Sequence, residues 1–261
     1  MSMTMAMRTA SVDGVDLHWS MCGDGPKTVI LLHGWTCDET TWHAQVPALA
    51  DAYRVATLDL PGHGRSASPA GGVFSIDLFA HATEAVRRET GARRVVLVGH
   101  SMGSAVALRY ARLYPDRVAA LVFVEGVITK RRTPAFALDR LSGPDGKREL
   151  EAVIRTTLFS RITTTETQDR ILSMMLATPV ATAIGVIDAM LRPDAWSDEI
   201  VPLPLLGVYR HGSWVAERKT LNRRFPALEY VDVPDAGHFL MMEKPDEFNR
   251  LLLDFLGRQT F

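Results

Sequence analysis

The sequence predicts an α/β fold: a mostly parallel central sheet with helices on both faces and a helical cap inserted over the sheet's carboxyl edge. Three observations carry this. Runs of branched apolar residues alternate with segments of helical period along most of the chain. One run, Val95-Val96-Leu97-Val98, leads through Gly99-His100-Ser101-Met102-Gly103 directly into a helical stretch, Ser104 to Leu113. Between about residue 127 and about residue 202 the strand pattern lapses, leaving only amphipathic helical seams such as Leu150-Val153-Ile154 and Leu172-Met175-Leu176.

The elements follow in order. Residues 12–19 alternate around Asp13-Gly14, the signal of a β-hairpin, and Gly23-Asp24-Gly25-Pro26 marks a second turn. Residues 28–32 form a buried strand ending in His33-Gly34-Trp35. Asp38 opens a helix that turns Val46, Leu49 and Ala50 inward. Residues 53–60 are the next strand, closed by the loop Pro61-Gly62-His63-Gly64-Arg65-Ser66. A helix carrying Leu78, Ala82, Ala85 and Val86 on its inner face leads to the strand at 95–98. Residues 118–124 form another strand, with Glu125-Gly126 at its end. After the helical stretch come a strand at 203–209, a helix at 214–224 and a last strand at 228–233. The closing loop Pro234-Asp235-Ala236-Gly237-His238-Phe239 precedes a terminal helix at 245–256, which buries Phe248, Leu251, Leu252 and Phe255.

This organisation gives a core of residues 1–126 and 203–261 interrupted by a helical insertion at 127–202. An apolar share of 47% and a charged share of 23% are those of an ordinary globular protein. A net charge of -1 offers no field for nucleic acid or an anionic membrane, so neither is an expected partner. Cys22 and Cys37 are too few for a disulfide framework or a metal cluster. The eight histidines include no H-E-x-x-H spacing, and no metal is expected. The first eight residues lack a basic start followed by an apolar core, and no apolar run approaches the roughly 18 residues of a membrane span. A cytoplasmic setting is therefore expected.

The chemistry lies at the carboxyl ends of the strands, where ligands bind in such sheets. Gly-His-Ser-Met-Gly is the G-x-S-x-G pattern that bends a strand sharply into a helix and leaves its serine exposed beside a helix amino terminus. With His33-Gly34-Trp35, Asp59-Leu60-Pro61-Gly62-His63-Gly64-Arg65-Ser66 and Asp235-Ala236-Gly237-His238 in that order, the chain resembles the α/β-hydrolase superfamily in its single-domain, helical-lid branch. The resemblance spans nearly the whole chain and implies the α/β-hydrolase fold, with the insertion in the place of the cap.

The resemblance implies Ser101 as nucleophile and His238 as its general base. It also implies an oxyanion hole made by the backbone N–H groups of Trp35 and Met102. His33 and His100 match residues that support the oxyanion loop and the elbow, His63 reads as a turn residue, and Asp59 as an anchor of its loop. One departure stands out. Many relatives carry an aspartate after the strand that precedes the last helix and strand, whereas here that place reads Tyr209-Arg210-His211-Gly212-Ser213. Glu125 is the best substitute for the missing acid, with Glu217 as a second candidate; Asp235 reads as a turn residue.

A serine in place of aspartate separates the chain from the haloalkane dehalogenase and epoxide hydrolase branches. The expected reaction is acyl transfer to water from a small ester, thioester or lactone, with no cofactor. Two further readings share the motifs: a carbon–carbon bond hydrolase of ring-cleavage products, and a ligand-binding protein on the same fold. Met174, Met175, Leu176, Met190, Leu191, Trp35, Met241 and Met242 are candidates for an apolar acyl pocket, or equally for packing between lid and core. Lys130-Arg131-Arg132 reads as a solvated edge of the lid.

Overall fold

The computed structural model describes residues 5–128, 138–213, 215 and 218–261. The basic run at 130–132, Trp214 and Glu217 lie outside these residues. The sheet has eight strands in the order β1-β2-β4-β3-β5-β6-β7-β8. β1 (Ala6–Val12) and β2 (Val15–Cys22) form the expected hairpin. Asp13 and Gly14 both have positive φ, the backbone of the two-residue turn that matches strand twist.

β2 runs antiparallel to β4 (Tyr53–Leu58), and from there the sheet is parallel. β3 (Lys27–Leu32) lies between β4 and β5 (Val95–His100). β6 (Val118–Val124), β7 (Leu205–Arg210) and β8 (Leu228–Val233) complete it. The unbroken branched runs of β5 and β6 are buried along their whole length, as strands covered on both faces must be. Alternate residues feed two cores: Val95 and Leu97 pack on one face of the sheet, Val96 and Val98 on the other.

One face is covered by α2 (Ile76–Thr90), α3 (Met102–Leu113) and α8 (Arg218–Arg224), the other by α1 (Gln45–Ala50) and α10 (Pro245–Gly257). Between β6 and β7 the described elements are helical: α4 (Leu138–Leu141), α5 (Gly146–Thr157), α6 (Thr165–Met175) and α7 (Val180–Leu191). A further short helix, α9 (Leu240–Glu243), precedes α10. Among the described residues no single helix is long and apolar enough to cross a membrane.

Several local readings shift. The segment opened by Asp38 is first a 3₁₀ turn, Glu39–Trp42, and only then α1. Asp59 and Leu60 belong to the loop and not to the preceding strand. α2 buries Ile76, Phe79, Ala82 and Val86, while Leu78 and Ala85 are half-buried, because Phe79 rather than Leu78 fills the space beneath the sheet. Leu251 of α10 is likewise half-buried, and Phe248, Leu252 and Phe255 carry the inner face. α3 starts at Met102, two residues early, because the turn at Ser101 itself begins the helix.

Candidate active site

Ser101 sits between β5 and α3 with φ 50° and ψ −114°, a conformation that costs a non-glycine residue about 1–3 kcal/mol. Its neighbours hold it there. The Ser101 N–H donates to Val124 O at 2.9 Å, and its carbonyl accepts from Ser104 N–H and Val127 N–H. The flanking glycines are sterically obligatory. A Cβ on Gly99 would fall 2.4 Å from the Gly103 carbonyl, and one on Gly103 would fall 2.2 Å from Leu32 O. Ser101 is half-buried rather than fully exposed, because the chain from Glu125 to Ile128 folds beside it. Met102 is the first residue of α3, so its amide is one of the helix's orphan donors.

The loop after β3 is fixed from below and above. His33 Nε2 accepts from Leu60 N–H at 2.9 Å, so the proton is on Nδ1, which donates to Gly34 O at 2.8 Å. Above it, the Trp35 indole N–H donates to Ala183 O of α7 at 2.9 Å, and the Thr178 hydroxyl donates to Thr36 O at 2.9 Å. Asp59 is buried and accepts from Glu39 N–H and Arg65 N–H, which anchors the loop at 59–66. His18, Glu39 and Asp59 cluster closely enough to suggest a cation. Their oxygens are instead committed to those two amides, to the Arg65 guanidinium and to the hydroxyls of Ser20 and Thr57.

His238 and Glu125 are brought together from 113 residues apart. His238 Nδ1 is 3.2 Å from Glu125 Oε2, and both side chains are buried, Glu125 completely. Glu125 stands at the end of β6 with φ 48°, its N–H donating to Val208 O. Its second oxygen, Oε1, accepts from Arg210 N–H at 2.9 Å, at the end of β7. The Arg210 Nε lies 3.5 Å from Oε2. The carboxylate of β6 thus reaches the end of β7, where the sequence lacks an acid. Asp235, with φ 48°, shapes the turn before His238.

His100 joins the elbow to the histidine loop. Its Nε2 lies 2.9 Å from His238 O, and its ring centroid lies 4.9 Å from that of His238. Met174, Met175, Met241 and Met242 are buried in the core on the α10 side of the sheet, which favours packing over pocket lining; Leu176, Met190, Leu191 and Trp35 are half-buried. Two contributors escaped the sequence reading. The Arg210 amide left no signal, since any residue supplies one. Glu243 was visible only as a carboxylate following the apolar run 239–242.

Burial pushes the imidazoles of His33 and His100 below the ordinary value and that of His63 down to about 3. All three are harder to protonate in the fold than in the unfolded chain, which takes up protons as pH falls through about 6.5. Each therefore removes up to about 1.4 kcal/mol of stability per pH unit below that point, until its folded value is reached. Asp59, raised by burial, acts in the opposite sense. The urea midpoint is expected to fall between about pH 6.5 and about pH 4.5; a flat or rising midpoint in that window would contradict the lowered imidazoles.

The model of the alpha/beta hydrolase fold family matches residues 27–150. A pimeloyl-[acyl-carrier protein] methyl ester esterase from Aeromonas hydrophila subsp. hydrophila is 30% identical over 254 residues, covering 90% of this chain and 97% of that protein. A thermophilic esterase from Thermogutta terrifontis superposes with a TM-score of 0.84 at 25% identity, covering 99% of both chains. An N-acyl homoserine lactone degrading enzyme superposes with a TM-score of 0.81 at 27% identity, covering 95% of this chain and all of that one. The chain belongs to the α/β-hydrolase family. It is a hydrolytic enzyme of that family, and its relatives include esterases.

Proposed function

We propose that the protein is a serine hydrolase of small esters, thioesters or lactones with an apolar acyl group. The observation that carries this reading is the buried contact between His238 Nδ1 and Glu125 Oε2, in a chain that also holds Ser101 at positive φ between β5 and α3. Glu125 keeps the Nδ1 proton of His238 in place, so that Nε2 is the nitrogen that accepts the proton of the Ser101 hydroxyl. The Ser101 oxygen then attacks the substrate carbonyl, and the amides of Trp35 and Met102 bind the resulting oxyanion. The His238 imidazolium protonates the leaving alcohol, thiol or ring oxygen as the acyl-enzyme forms. Water, deprotonated by His238, attacks the acyl carbon and releases the acid and Ser101.

Residues 127–202 act as a lid over the core of 1–126 and 203–261, and Trp35, Leu176, Met190 and Leu191 are its half-buried apolar side chains and those beneath it. The test is a panel of p-nitrophenyl esters from acetate to decanoate, with a γ-lactone and an acyl thioester beside them. Turnover is expected, with kcat/KM rising from acetate toward a medium acyl chain. No turnover of any of these substrates would overturn the proposal. Turnover restricted to vinylogous diketones would replace it with carbon–carbon bond hydrolysis.

A further inference from the structure

The Glu243 carboxylate lies between the histidine loop and the insertion, and each of its oxygens serves one of them. Oε2 accepts from Gly237 N–H at 2.5 Å, one residue before His238. Oε1 accepts from the Thr163 hydroxyl at 2.6 Å, in the turn that precedes α6. Thr163 is itself held in its turn: its hydroxyl oxygen accepts from Ser160 N–H at 2.9 Å, and its carbonyl accepts from Gln168 Nε2 at 2.8 Å. Thr163 is buried, so water does not readily replace it as a partner. The contact is also close by design of the backbone. A Cβ on Gly237 would fall 2.4 Å from Glu243 Oε1, so only glycine lets the carboxylate approach the loop this far.

We propose that Glu243 is a positioning residue that couples the seating of the insertion to the placement of His238, through one carboxylate shared by Gly237 N–H and Thr163 Oγ1. This rests on the reading of His238 as the base. The physical reason lies in how His238 is held: the Gly237 amide fixes the chain just before it, and contacts of its own carbonyl and ring fix the residue itself. Its carbonyl is hydrogen-bonded to His100, and its ring meets Glu125. On its amino-terminal side the loop is held at the Gly237 amide and, three residues earlier, at Pro234 O, which accepts from Lys244 Nζ at 2.7 Å. When the turn at 160–163 is seated, the Thr163 hydroxyl fixes one carboxylate oxygen and so fixes where the other holds Gly237. When the turn lifts, the carboxylate is free to rotate, and His238 loses that restraint. A base displaced by about an ångström loses on the order of 100-fold in rate.

A double-mutant cycle tests the coupling. Glu243→Ala is expected to lower kcat on p-nitrophenyl esters by about 10- to 100-fold with little change in KM, and Thr163→Val by about 3- to 10-fold. The combined variant is expected to be no slower than Glu243→Ala alone, because Thr163 acts through Glu243. Glu243→Gln is expected to recover most of the rate: its carboxamide oxygen still accepts from Gly237, and its NH₂ donates to Thr163. Amide hydrogen exchange of Thr163→Val gives a readout independent of turnover and of Glu243→Ala folding. Faster exchange is expected at residues 236–239, with the rest of the sheet unchanged. Rate losses that multiply, or unchanged exchange at 236–239, would overturn the coupling. If ester turnover instead proves independent of His238, the reading of the site fails, and the exchange measurement still decides the clamp.

Discussion

Replacing Ser101 with alanine is expected to abolish ester turnover, lowering kcat by about 10⁴–10⁶-fold while leaving the fold intact. The hydroxyl is the only group lost, and the hydrogen bonds that hold the turn use the main chain: Ser101 N–H to Val124 O, and Ser101 O from Ser104 and Val127. Alanine keeps the same strained φ of 50°, so the thermal midpoint should move by no more than a few degrees. Rapid-quench measurement should detect no acyl-enzyme in the variant, whereas wild type is expected to label at Ser101 with a fluorophosphonate. A Ser101→Ala protein that retains turnover would remove the mechanism at its root.

The second large effect is expected from Glu125→Gln, a loss of about 10³–10⁴-fold in kcat with KM nearly unchanged. The geometry dictates how the amide sits. Arg210 N–H points at Oε1, so the carboxamide must turn its oxygen there, since two N–H groups cannot face each other. Its NH₂ then faces His238 Nδ1, which must become an acceptor. The imidazole proton moves to Nε2, the position that has to receive the serine proton. Ground-state structure is almost unchanged while the base is held in the wrong tautomer. The check is steady-state kinetics across pH together with the ¹⁵N chemical shifts of His238, which report the tautomer. A near-normal rate in Glu125→Gln would move the acid elsewhere, and Glu217 would be tested next.

The legibility of this chain divides along physical lines. Strands such as Val95–His100 and Val118–Val124 were readable because both faces are buried, and continuous branched runs have few other uses. The hairpin was readable because Asp13-Gly14 supplies two residues that tolerate positive φ. Helix faces were less so. Leu78 and Phe79 are equally apolar, and only the shape of the space beneath the sheet decides which one enters it. At the proposed site, Ser101 and His238 are marked in the sequence by the glycines beside them, Gly99, Gly103 and Gly237. Glu125 was inferred from its place at a strand end, and the structure brings it to His238. The Arg210 amide and the Glu243 bridge involve partners 85 and 80 residues away, pairings that no local pattern encodes.

Glu125 reaches from the end of one strand to a backbone donor at the end of the next. On the proposed mechanism, the demand on the acid is set by the gap between two adjacent strand ends, and a carboxylate from either side would fill it. In evolutionary terms such an acid would be transferable. A lineage that gains an aspartate after β7 while it still carries Glu125 passes through a form with two acids, and His238 is never without one. The later loss of either carboxylate would leave a working enzyme. Relatives sorted by the strand that bears their acid would then be separated by a difference their chemistry does not register, and a search pattern that insists on the aspartate would pass this chain by.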